Sequence, residues 1–142
     1  MILLTQIAGF LLIGLAVLHA IFPRYFGWKT DLRQLRLINR QMMEVHTFFI
    51  ALTVGLMGIL CIVSADELSR TKLGRTVSAG FALFWGARLV VQFFWYSPKL
   101  WRGKPFETVV HIVFAILWAG LTLLFALLAF GETQSMRRWP EV

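Results

Sequence analysis

Three histidines and one arginine fall inside the long apolar runs of this chain: His19, His46, His111 and Arg88. Ionisable side chains are costly in hydrocarbon, so each is a functional candidate. Neutral imidazole is a good ligand for haem iron, zinc, copper and non-haem iron. Two histidines on facing helices could hold a haem b axially, and three could hold a divalent transition metal with one position left open. Glu107, four residues before His111, and Glu44, two before His46, could orient the rings or add a ligand. Arg88, Gln92 and Tyr96 are spaced i, i+4, i+8 and so share one helical face. That face could neutralise an anionic cofactor group, or hydrogen-bond a quinone or lipid head group.

The depths of these residues suggest a common layer. His19 lies three residues before the end of the first apolar run, His46 is second in the second run, and His111 is fourth in the fourth. At 1.5 Å per residue all three are expected within roughly 2–6 Å of one interface. Arg88 is deeper, and its side chain can snorkel toward Gln92. No Asp or Glu lies in any run to pair with it.

Composition dictates what carries these groups. Of 142 residues, 58% are hydrophobic and 15% charged, with a net charge of +7. Soluble domains average about 45–50% apolar and about 25% charged, so a soluble enzyme, a disordered chain and a nucleic-acid-binding module are excluded. One cysteine, Cys61, excludes a disulfide framework or a thiolate cluster. The apolar runs cover residues 2–22, 45–65, 77–97 and 108–130, each long enough for the roughly 20-residue helix that crosses a bilayer. The expected fold is an all-α integral membrane protein, a single four-transmembrane-helix bundle over 1–142. Pro23, Pro98, Pro105 and Gly131 are expected to mark helix ends. The first run has no positive residue before it and five after it, and reads as a retained span rather than a signal peptide.

Lys and Arg set the orientation. The first and third loops carry eight: Arg24, Lys29, Arg33, Arg36, Arg40, Lys99, Arg102 and Lys104. The opposite side carries five: Arg70, Lys72, Arg75, Arg137 and Arg138. The bias predicts cytoplasmic first and third loops, with both termini on the outer, periplasmic side of a bacterial inner membrane. Tyr25, Trp28, Trp95, Tyr96 and Trp101 gather on the cytoplasmic side as an interfacial belt. Leu32, Leu35, Ile38 and Met42 alternate with Arg33, Arg36 and Arg40, predicting a short amphipathic helix over 31–42 that lies on anionic lipid.

Inward faces follow from helical periodicity. They are Thr5, Gly9, Leu12, Ala16 and His19 in the first span, and His46, Ile50, Thr53, Met57 and Cys61 in the second. The third presents Gly80, Phe84, Arg88, Gln92 and Tyr96, and the fourth His111, Ala115, Trp118 and Thr122. Metalloprotease helices, phosphate loops and nucleophile elbows have no counterpart here. The first functional expectation is therefore a small redox or electron-transfer membrane protein. In it, His19, His46 and His111 hold haem b or a metal, and Arg88, Gln92 and Tyr96 shape the adjoining pocket. The alternatives are a non-catalytic subunit that packs on a partner membrane protein or a second copy of itself, and a small transporter or proton-conducting oligomer.

Overall fold

The computed structural model describes residues 1–131, so the tail that carries Arg137 and Arg138 lies outside the described residues. The protein is all-α, with four helices long and apolar enough to cross a membrane. It divides into two helical hairpins, one over Ile2–Ala65 and one from Asp66 onward. Large apolar side chains stand outward on the spans, Leu83 and Phe130 among them, which is the outer surface that hydrocarbon rather than water demands. The chain is an integral membrane protein.

In the first hairpin, α1 (Ile2–Tyr25) packs against α3 (Leu37–Val63). Two glycines set the approach. A Cβ on Gly9 would meet the Gly58 carbonyl oxygen at 2.7 Å, and one on Gly58 would meet the Gly9 oxygen at 2.8 Å. Backbone therefore touches backbone, the packing that small residues permit in membranes. This close approach rotates α3 so that Val54, Gly58 and Cys61 are buried. The expected inward stripe of α3 holds only toward its C-terminus: Cys61 is buried and Met57 half-buried, while His46, Ile50 and Thr53 are exposed.

The helix ends also differ from expectation. Pro23 does not stop α1, which runs on to Tyr25. A proline one turn from a C-terminus removes only the bond to the carbonyl of residue 19, and the next turn still forms. The connection holds one helical turn, α2 (Trp28–Asp31), and a 3₁₀ turn over Leu32–Gln34. Gly27 opens α2 with φ 65°, a left-handed conformation natural to glycine. The residues at 37–42, expected on the membrane surface, are instead the first turns of α3. Arg, Gln, Met and Glu are good helix formers, so the helix continues past its apolar stretch.

In the second hairpin, a single turn, α4 (Glu67–Arg70), precedes α5 (Lys72–Phe94), which pairs with α6 (Pro105–Phe130). The Thr71 hydroxyl accepts from the Gly74 N–H at 2.9 Å and caps α5 five residues before the expected start. Gly74 itself abuts the Glu67 backbone, leaving no space for a side chain. Buried Ser78 donates to the Leu68 carbonyl at 3.1 Å and ties α4 down. At the same end, Arg75 Nε donates to the Ala129 carbonyl at 2.8 Å, placing a cation on the electron-rich C-terminus of α6. Pro105 opens α6 at a position where its missing N–H costs nothing.

Candidate functional site

Arg88 lies six residues before the end of α5 and is half-buried. No carboxylate among the described residues pairs with it. Its Nη1 donates to Gln92 Oε1 at 3.1 Å. Its Cζ lies 5.1 Å from the centre of the Trp118 ring and 5.6 Å from that of Tyr96. Aromatic faces are electron-rich, and a desolvated cation over one gains about 2 kcal/mol. Helix α5 stops at Phe94, so Tyr96 reaches the guanidinium from just beyond the helix rather than from its face.

Gln92 is buried and passes the polarity on. Its oxygen faces Arg88, so its NH₂ faces His111 Nδ1, 2.8 Å away. The reverse orientation would oppose two donors. Nδ1 must therefore accept, which leaves a neutral ring with its proton on Nε2. Arg88 thus fixes the amide, and the amide fixes the imidazole tautomer. In this state His111 offers an N–H donor at Nε2, not the lone pair a metal would need.

The ring is also held by its faces. The Trp101 indole stacks on it with centroids 3.9 Å apart and planes at 12°, and Phe93 meets it edge-on at 6.0 Å. Trp101 comes from the connection after the 3₁₀ turn Pro98–Leu100, where its carbonyl accepts from Thr108 Oγ1 at 2.8 Å. Behind Arg88, Trp118 stacks on Trp85 at 4.9 Å and 11°, and on Phe114 at 5.4 Å and 23°. The indole N–H groups of Trp85 and Trp118 are buried with no protein acceptor among the described residues.

The hairpin α5–α6 therefore brings together four of the expected site residues: Arg88, Gln92, Tyr96 and His111. His19 and His46 belong to the other hairpin and carry the opposite tautomer. Each Nδ1–H donates to the carbonyl one turn back, that of Leu15 for His19 and of Met42 for His46, both at 2.7 Å. Their Nε2 atoms have no hydrogen-bond partner among the described residues. They are not level with each other. Gly55 meets Ala16, and Gly58 meets Ile13. With the Gly9–Gly58 contact, this register places His46 roughly 3–9 Å further along the axis than His19. Glu44 and Glu107 are exposed and make no hydrogen bond or ion pair among the described residues, and Glu107 does not hydrogen-bond His111. Among the described residues no three of His, Cys, Asp and Glu gather as a metal site.

Periodicity alone did not single out Trp85 and Trp101. Trp101 reaches His111 from an irregular connection and leaves no periodic signal. Trp118 was legible, since it lies seven residues after His111 on the same face. Comparisons with protein-family models, with curated proteins and with solved structures find no significant match to the chain. The chemistry must be read from the site itself. It offers a cation, an imidazole N–H and flat aromatic surfaces, with no carboxylate to act as a base. These groups suit a ligand that carries hydrogen-bond acceptors.

Proposed function

We propose that the protein binds a planar, acceptor-bearing head group of the quinone class within the membrane, as a small redox component. The observation that carries this reading is the Arg88 guanidinium, which has donors to spare and no carboxylate partner among the described residues. Carbonyl oxygens would accept from Arg88 and from His111 Nε2–H, and the indole and phenol rings suit a flat ligand. Positive charge with no counter-ion favours any state of the ligand that carries negative charge.

Titration of the purified protein with a short-chain benzoquinone, followed by tryptophan fluorescence, tests the reading. Quenching should saturate at one ligand per chain and disappear in Arg88→Met. Unsaturable quenching, or equal binding by the variant, would overturn it. A second reading, haem b or a metal on His19 or His46, is favoured by the Nδ1 bonds that leave their Nε2 atoms free to ligate. A Soret band after haem supplementation, lost in His19→Ala or His46→Ala, would support that. A carboxylate on a neighbouring membrane subunit would satisfy Arg88 in a third way, and co-purification of a stoichiometric partner would reveal it. The excess of Lys and Arg on the first and third loops supports an orientation with those loops in the cytoplasm; a bacterial inner membrane as the host is part of the proposal.

A further inference from the structure

The first hairpin carries an open hollow of about 730 Å³ where α1 ends and α3 begins. Its wall carries Arg24, Lys29, Arg33 and Arg40, against one acid, Glu44. Among the described residues none of these five side chains forms an ion pair or hydrogen bond. The left-handed turn at Gly27 folds α2 back beside the end of α1, so basic residues from four short stretches line one hollow instead of spreading along a surface. Trp28, an amphipathic ring suited to head-group depth, lines it as well. Four unpaired cations and one carboxylate leave an excess of three positive charges.

We propose that this hollow is a binding site for a phosphodiester anion, the head group of an anionic phospholipid. Guanidinium forks match phosphate oxygens two at a time, and three of the four cations are arginines. The position favours lipid as the source. The hollow sits where α1 leaves its apolar stretch, at the level where head groups lie, and it is independent of the acceptor site on α5–α6. A soluble phosphate ester has the same chemistry and is separated by the test.

The full-length protein, purified in mild detergent, is offered vesicles of phosphatidylglycerol or of phosphatidylcholine, and bound lipid is counted by native mass spectrometry. One anionic lipid per chain should be retained, and phosphatidylcholine should not. Arg33→Gln/Arg40→Gln should weaken retention about thirtyfold, because each basic residue beside anionic lipid contributes about fivefold. Arg33→Lys/Arg40→Lys should keep most of it, which separates lost charge from lost fold. Lys99→Gln/Arg102→Gln, an equal loss of charge on the other hairpin, should change nothing. Equal weakening by both Gln pairs, or equal retention of the two lipids, would overturn the proposal. Inorganic phosphate at millimolar concentration should not displace the lipid. If it does, the phosphate site stands and its natural ligand is a soluble ester.

Discussion

The His111 imidazole lies flat on the Trp101 indole, 3.9 Å between centroids and 12° from parallel. The stack joins the start of α6 to the irregular connection before it. With the Gln92 bond, it leaves the imidazole no freedom to turn. Trp101→Leu removes the stack and keeps the bond. Unfolding in mixed micelles should show a loss of about 0.5–1.5 kcal/mol, and Trp101→Phe should recover part of it. A Leu variant as stable as the wild type would show that the stack contributes nothing.

Gln92 is where the charge of Arg88 and the protonation of His111 meet. Gln92→Glu places a carboxylate between them. It should neutralise Arg88 and draw the His111 proton from Nε2 to Nδ1. Nitrogen-15 chemical shifts of the imidazole read this directly. The wild-type ring should show a protonated Nε2 and a bare Nδ1, and the variant the reverse. Acceptor binding should be lost in the variant, because its carboxylate takes the donors. A wild-type ring protonated at Nδ1 would refute the relay.

Arg88→Met should separate binding from stability. An arginine at the centre of a span costs about 2.5–3.5 kcal/mol to insert, and less toward the end where Arg88 lies. Its rings and amide offset part of that. The variant should be at least as stable as the wild type in the same unfolding assay, while ligand binding is abolished. A clear loss of stability would assign Arg88 a structural role instead.

Much of the fold is legible because bilayer thickness fixes how long an apolar run must be. The four spans follow from that alone. Their ends do not, since helix-forming polar residues carry α3 back to Leu37 and the Thr71 cap starts α5 five residues early. Half of the site is equally legible. Arg88, Gln92 and His111 stand out because polar groups in hydrocarbon must find each other. The inward face of α3 misleads in part, because its rotation is set by the touching backbones of Gly9 and Gly58 and not by where polar residues fall.

That contact makes a further prediction. Gly58→Val should destabilise the first hairpin by about 1–3 kcal/mol, because the new side chain meets backbone that cannot yield. Gly14, on the same helix as Gly9, has nothing within reach of an added Cβ. Gly14→Ala should be neutral or mildly stabilising. Disulfide trapping between α1 and α3 in the two variants offers a second measure. Equal effects at both positions would remove the special role of the close approach.

The parallel indoles of Trp85 and Trp118 have an optical consequence. Two such chromophores 4.9 Å apart exchange excitation, so their near-ultraviolet transitions split instead of adding. One indole comes from α5 and the other from α6, and a shift of either helix would change the splitting. The molecule therefore carries its own gauge of that pairing. Circular dichroism of the unlabelled protein can follow a ligand that enters beside Arg88 as a change in the signal of these two rings, one of which, Trp118, lies under the guanidinium.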